Sequence, residues 1–250
     1  MPNKPRTVPA AQQFAPTLRL VGLAAFAAMA SMRVCDAMLL ELAREFQVST
    51  GEAARVISFY ALAYGAMQLI YGPLSERVGK LPVISCAAAL CALLSLLASQ
   101  AASMDLLVAS RVAMGAAAAG IVPLTIAWIG DQVPYERRQE TLAKLLGATI
   151  SGTMAGQWLG GLAADTLGWR AAFVALAGAF GVAALLLLRN TRRDWPARSS
   201  NSVPAGAALN QLRGTFELLA APQVRWVLAL TAAEGALAYG AMAFVPSRAG

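Results

Sequence analysis

The chain has 250 residues, of which 58% are hydrophobic and only 13% are charged. Soluble domains carry about a quarter charged residues, so this composition excludes an ordinary soluble fold and indicates a polytopic membrane protein. The net charge of +7 does not point to nucleic acid, because the basic residues lie in the connections between apolar runs. With no histidine and no Cys-x-x-Cys motif, the sequence predicts neither a metal site nor a cofactor.

Seven apolar runs follow one another along the chain, each long enough at about 1.5 Å per residue to cross a hydrocarbon core of roughly 30 Å. The predicted spans are 18–40, 54–73, 82–101, 105–130, 145–163, 169–188 and 224–246. This predicts an all-α membrane protein. Its predicted domains are a cytoplasmic tail (1–17), a six-helix transmembrane bundle (18–188), a basic cytoplasmic linker (189–223) and the first helix of an incomplete second bundle (224–250).

The connection between the second and third spans is short and carries charges of both signs. Residues 72–80 read Gly-Pro-Leu-Ser-Glu-Arg-Val-Gly-Lys. A turn this short predicts a tight helical hairpin. We expect Gly72 and Gly79 to let the backbone bend and approach closely, and Pro82 to open the next helix where no amide donor is needed.

The distribution of basic residues predicts the orientation of the spans, since cytoplasmic connections carry an excess of lysine and arginine. One set of alternate connections holds 14 of the 20 basic residues, namely Lys4, Arg6, Arg19, Arg77, Lys80, Arg137, Arg138, Lys144, Arg189, Arg192, Arg193, Arg198, Arg213 and Arg225. The other set holds Arg44, Arg55, Arg170 and Arg248. The N-terminus and the linker are therefore predicted to be cytoplasmic, in a protein of the bacterial inner membrane.

Ionisable residues inside the predicted spans are candidate functional residues, because burying such groups in lipid is costly. The first span holds Arg33 and Asp36, the fourth holds Arg111 and the seventh holds Glu234. This period of three predicts that spans one, four and seven line a water-filled cavity, while three and six face lipid. Spans two and five contribute only the polar candidates Gln68 and Gln157.

Two interpretations of these charges remain open. Arg33 and Asp36 are three residues apart on one helical face, so they can pair and merely hold the bundle together. Arg111 could also reach Asp36 across the cavity. Alternatively, Asp36 and Glu234 hold a proton or a cationic substrate in turn, and they are our candidates for the titratable coupling sites.

The 72–80 segment resembles the loop-2/3 signature of the major facilitator superfamily, roughly G-x-L-x-D-R-x-G-R/K-R/K. Five positions match this signature, namely Gly72, Leu74, Arg77, Gly79 and Lys80. Glu76 replaces the usual aspartate, and Leu81 replaces the last base. The resemblance implies that Asp131, at the inner end of the fourth span, faces the signature arginine, so that an Arg77–Asp131 bond locks the two three-helix repeats together.

Three further stretches are similar to superfamily patterns. The fourth span, with Arg111 followed by Gly115, resembles a pattern whose arginine is often assigned a part in proton transfer. The fifth span resembles the glycine pattern associated with antiporters, with Gln157 where proline is usual. Its glycines are Gly152, Gly156, Gly160 and Gly161, and helix packing alone also explains them. Arg33-x-x-Asp36 resembles the first helix of efflux-type members.

The resemblance implies a major facilitator transporter of the drug/proton-antiporter type: two inverted three-helix repeats, then the first helix of a second bundle that lies outside this chain. It implies alternating access and proton-coupled export of a small molecule, with the lipid bilayer as the surroundings. The alternative is a non-transporting truncated remnant, or a half-transporter that needs a partner half. A retinal protein is disfavoured, because the lysines are Lys4, Lys80 and Lys144 and none lies in the seventh span. The lack of histidine disfavours an intramembrane enzyme.

Overall fold

The computed structural model describes residues 15–191 and, further along the chain, the helical positions 222, 224–227, 229–231, 233 and 234. Residues 15–191 are helical with short connections. The helices are α1 (Ala15–Ala37), α2 (Leu39–Glu45), α3 (Thr50–Ala53), α4 (Arg55–Val78), α5 (Lys80–Ser99), α6 (Met104–Ala118), α7 (Ile121–Gln132), α8 (Tyr135–Leu162) and α9 (Trp169–Thr191), with a π-helical turn at Ala163–Leu167. Most of the predicted tail, the linker and the seventh span lie outside the described residues.

Five helical segments of the described chain are long and apolar enough to cross a membrane. They are Pro16–Ala37, Thr50–Val78, Lys80–Ser99, Met104–Gln132 and Trp169–Asn190. The predicted fifth span is not among them, although it lies in the 28-residue helix α8. The first half of α8 carries five charged side chains, and its second half is rich in glycine and threonine, so its composition does not reach that of a typical spanning helix.

The hairpin between α4 and α5 is tighter than the sequence predicts. Helix α4 runs through Gly72 and Pro73, and only Gly79 separates it from α5, with a φ of 95°. The bend expected at Gly72 is wrong, because this residue is helical, exposed and without a close neighbour. Pro82 is the third residue of α5, where its missing amide donor costs nothing, as expected.

Each long helix packs most extensively against a helix of the other three-helix repeat. The fourth span consists of α6 and α7, which are joined by a break at Ala119 and Gly120. The principal pairs are α1 with α8, α4 with α6, and α5 with α9. Exchanging the first repeat (α1, α4, α5) for the second (α6–α7, α8, α9) maps this set of pairs onto itself, which is the pattern that inverted repeats produce.

The packing of α8 against α1 depends on glycines that let the two backbones approach closely. On α8, Gly152, Gly156 and Gly160 lie against three positions of α1 that are also four residues apart, namely Phe26, Ala30 and Val34. A Cβ at any of the three glycines would meet a carbonyl group of α1. The packing interpretation of the glycine pattern therefore accounts for these three. Gly161 is different, because its nearest neighbour would be at an ordinary contact distance of 3.8 Å.

Candidate functional site

Arg111 lies in the middle of the bundle, where α1, α4 and α6 meet. Its side chain is completely buried. The Nε group donates a hydrogen bond to the Val56 carbonyl oxygen (3.3 Å), and Nη1 donates to the Ser31 hydroxyl (3.3 Å). The expectation that Arg111 borders a water-filled cavity is therefore not met in this conformation, because protein atoms enclose it on every side.

The Tyr60 ring completes the surroundings of Arg111. The guanidinium carbon lies 4.0 Å from the centre of this ring, well inside the range of a cation–π interaction of roughly 6 Å. Tyr60 is itself buried, and its ring stacks on that of Tyr64 at 6.2 Å. Two buried polar atoms, Arg111 Nη2 and the Tyr60 hydroxyl, have no hydrogen-bond partner within the described part of the chain.

The charged residues near the end of α1 form an ion pair. Arg33 Nη1 lies 3.0 Å from Asp36 Oδ2, and each side chain is about one quarter exposed, at 26% and 24%. The other carboxylate oxygen, Oδ1, is buried and lacks a hydrogen-bond partner. Within residues 15–191, Asp36 and Arg111 form no ion pair, so the suggested contact across the bundle is wrong for this structure.

At the hairpin end of the bundle, Lys80 forms an ion pair with Asp131, the residue that was expected to face Arg77. Lys80 is the first residue of α5, and Asp131 is close to the end of α7. The ion pair is partly exposed and still joins the two repeats, as expected of a bond at this position. Glu76 and Arg77 lie on the exposed surface of the last turn of α4.

Gln68 and Gln157 do not converge on Arg111, because both are exposed, on α4 and α8. Glu234 occupies an exposed helical position in the second compact unit, Val203–Gly250. Within the described residues, no group of three or more acidic, cysteine or histidine side chains could hold a metal ion.

Sequence reasoning missed the partners of Arg111. Ser31 and Val56 lie 80 and 55 residues away along the chain, and each is an ordinary residue of an apolar span. Tyr60 offered one signal: it lies four residues beyond Val56, so that both occupy the same face of α4. No motif marks this face.

Glu41 is a further, partly buried carboxylate that the sequence did not single out. It lies in α2 and accepts a hydrogen bond from the Trp169 amide at the start of α9 (3.2 Å). Burial raises the pKa of the Glu41 carboxyl, and the nearby charges of Glu45 and Asp165 raise it further. The Trp169 amide and Arg170 act in the opposite direction. Arg170 also pairs with Glu45 at 2.8 Å, so that α2 and α9 are tied together at this end.

Comparison with known proteins gives several relatives. Multidrug resistance protein D of Escherichia coli (strain K12) is 34% identical over 164 residues, which are 64% of this chain and 40% of that protein. The uncharacterized MFS-type transporter EfpA of Mycobacterium tuberculosis is 26% identical over 246 residues, or 96% of this chain and 46% of that one. The chain thus spans about half the length, or less, of these curated relatives.

Solved structures resemble the fold. The crystal structure of peptide transporter POT in complex with sulfate matches 97% of this chain and 51% of that chain, with a TM-score of 0.65 and 13% sequence identity. At this identity the likeness concerns the fold alone. The family model described as Major Facilitator Superfamily matches residues 21–249. The chain therefore belongs to the major facilitator superfamily.

Proposed function

We propose that the chain is the N-terminal bundle of a secondary active transporter that works by alternating access and exchanges a small molecule for protons. Family membership supports transport. One relative carries a name that refers to multidrug resistance, which supports export. In such a protein, binding energy and proton occupancy shift the balance between inward-open and outward-open states.

The observation that carries this proposal is the burial of Arg111. An arginine remains ionised in proteins, and an ionised side chain in a membrane-protein core is costly enough to be a functional hypothesis by default. Arg111 has no carboxylate partner within residues 15–191, so in a state that opens this region its charge can act on an acidic proton carrier. We assign Arg111 to proton coupling, Asp36 and Glu234 to carrying the proton, and Arg33, Gln68 and Gln157 to contacts with the substrate.

The hairpin signature is proposed to control the access equilibrium. The Lys80–Asp131 pair bridges the two repeats at one end of the bundle. If the pair forms in one state and breaks in the other, it biases the equilibrium between them. Glu76 and Arg77, on the exposed end of α4, are proposed to contact a second bundle there. The excess of basic residues in one set of connections supports an inner-membrane protein with its N-terminus in the cytoplasm.

The test is exchange by the purified full chain in proteoliposomes that contain a pH-sensitive dye, with ethidium as the probe substrate and an imposed pH gradient. We expect ethidium to move against the proton flux, and Arg111→Gln, Asp36→Asn and Glu234→Gln each to lose most of that flux. Arg44→Gln is the matched control, because Arg44 is exposed on α2. Unchanged proton flux in both Asp36→Asn and Glu234→Gln would reject the coupling assignment.

A second candidate is a half-transporter that is inert until a partner bundle joins it. The match to only about half of each relative supports this candidate. So does α4, whose span is only 22% buried and exposes Leu62, Leu69 and Ile70. The two candidates differ in one experiment. A monomeric chain without ethidium-coupled proton flux supports the half-transporter, whereas flux from the chain alone rejects it.

A further inference from the structure

The surroundings of Arg111 contain a group that the proposed coupling mechanism does not yet use. A guanidinium in a protein core needs compensation for its lost hydration. Here Nε donates a hydrogen bond to the Val56 carbonyl and Nη1 donates one to the Ser31 hydroxyl, and both acceptors are neutral. Nη2 has no acceptor within the described residues. A further contact is the face of the Tyr60 ring, whose centre lies 4.0 Å from the guanidinium carbon.

Tyr60 is held as a rigid platform. Its carbonyl group packs against Gly115 of α6 so closely that a Cβ on Gly115 would lie 3.1 Å from the Tyr60 carbonyl carbon and closer still to its oxygen. Gly115 and Arg111 are four residues apart on the same face of α6. One face of α6 therefore contacts both the backbone and the ring of Tyr60. The ring of Tyr64 also stacks on that of Tyr60, with an interplanar angle of 16°.

An aromatic ring at this position differs physically from an aliphatic side chain of similar bulk. The negative face of its quadrupole attracts a cation, and the attraction is strongest where water is excluded. Both partners are excluded from water here, at 0% and 1% exposure. A leucine would fill part of the space but would leave the guanidinium without that attraction.

We propose that Tyr60 is a positioning residue that fixes the guanidinium of Arg111 through its ring face, and that proton coupling depends on this contact. The inference rests on the coupling role proposed for Arg111. Tyr60 touches neither substrate nor proton; it acts by holding Arg111 in one orientation between α1 and α4. The ring is the active feature, and the hydroxyl, which lies near the Ser31 side chain, is tested separately by Tyr60→Phe.

The experiment compares Tyr60→Phe with Tyr60→Leu in the full chain. Both variants lose the hydroxyl, so their difference isolates the ring. In the proteoliposome assay with ethidium, we expect Tyr60→Phe to keep wild-type exchange. Tyr60→Leu should lose maximal exchange by about tenfold or more, as expected for a desolvated cation–π contact, without a matching change in KM for ethidium. Phe59→Leu is the matched control, because it removes an exposed ring of α4 that lies 5.8 Å from the guanidinium of Arg55 rather than that of Arg111.

A second series keeps the test decisive if Tyr60→Leu fails to fold. Phenylalanine analogues with one, two and three fluorine atoms at position 60 keep the shape of the ring and withdraw electrons from its face. We expect maximal exchange and the melting temperature to fall stepwise with each fluorine. A flat response in both measurements overturns the proposal, as does a Tyr60→Phe variant as impaired as Tyr60→Leu.

The two proposals fail differently. Normal proton flux in Arg111→Gln rejects the coupling role itself, and the melting temperatures of the fluorinated series then still report on the contact between ring and guanidinium. Loss of flux in Arg111→Gln together with a flat fluorinated series rejects the role of Tyr60 alone.

Discussion

Gly156 of α8 lies directly on Ala30 of α1. A Cβ at position 156 would be 2.7 Å from the Ala30 Cα atom, a distance that real Cβ atoms do not reach, and closer still to the Ala30 carbonyl oxygen. The two helices therefore pack backbone to backbone, as small residues allow in membranes.

The first prediction concerns this contact. Gly156→Ala should destabilise the bundle by about 1–3 kcal/mol, because backbone atoms of α1 must move to accept the methyl group. The measurement is the melting temperature of the purified chain in detergent. Gly147→Ala, on the same helix but without a neighbour within 4 Å, should instead stabilise by up to about 1 kcal/mol through helix propensity. Equal effects at the two positions would contradict the close packing.

The second prediction separates the two glycines of the hairpin signature. Gly79 has a φ of 95°, which disfavours any residue with a Cβ, so Gly79→Ala should cost about 1–2 kcal/mol. Gly72 is helical and has open space around it, so Gly72→Ala should gain up to about 1 kcal/mol. Melting temperatures again provide the measurement, and a loss at position 72 would show that the bend lies there after all.

The third prediction concerns the partner of Asp131. Because the ion pair is partly exposed, Asp131→Asn should cost no more than about 1 kcal/mol. The informative variants are charge exchanges. Lys80→Asp combined with Asp131→Lys should recover the ethidium exchange that either single change loses. Arg77→Asp combined with Asp131→Arg should not recover it, and recovery by this second combination would make Arg77 the functional partner.

The fourth prediction is a pH dependence at the contact between Glu41 and Trp169. Burial raises the pKa of Glu41 above its ordinary value of 4.5, so the folded chain binds more protons than the unfolded chain just above pH 4.5. Stability contributed by this carboxyl is therefore present below that pH and is lost as the pH rises through the raised pKa. Glu41→Gln removes this loss, so its melting temperature should rise relative to wild type as the pH increases.

Glu140 provides a control of opposite sign for this experiment. The hydrogen bond from Lys144 lowers the pKa of Glu140, so its contribution to stability appears as the pH rises and is lost in acid. The melting temperature of Glu140→Gln should therefore fall relative to that of wild type as the pH rises. If both variants responded in the same direction, the assigned cause of the Glu41 shift would be wrong.

The sequence predicted the helices well, because lipid leaves the backbone of a spanning segment few alternatives to a helix. It was less successful for α8. That helix starts ten residues before the predicted span at 145, since charged residues such as Arg137 and Lys144 are good helix formers that hydropathy does not count.

Side-chain partners were harder to predict than helices. The pairing of Asp131 with Lys80 depends on the direction in which α5 leaves the turn at Gly79. The sequence does not specify that direction. The Arg33–Asp36 pair could be predicted, because the two residues are three positions apart within one helix. The contacts of Arg111 with Ser31 and Tyr60 join different helices, and only the packing of those helices brings them together.

The packing of each repeat's helices against helices of the other repeat also constrains biosynthesis. Helix α1 packs most extensively on α8, and Glu41 meets an amide 128 residues further along the chain. A ribosome therefore delivers the first three spans to the membrane well before their main partners exist. Until α8 and α9 follow, the glycine-matched face of α1 must be covered by lipid or by insertion machinery, and assembly of this bundle has to wait for the synthesis of α8 and α9.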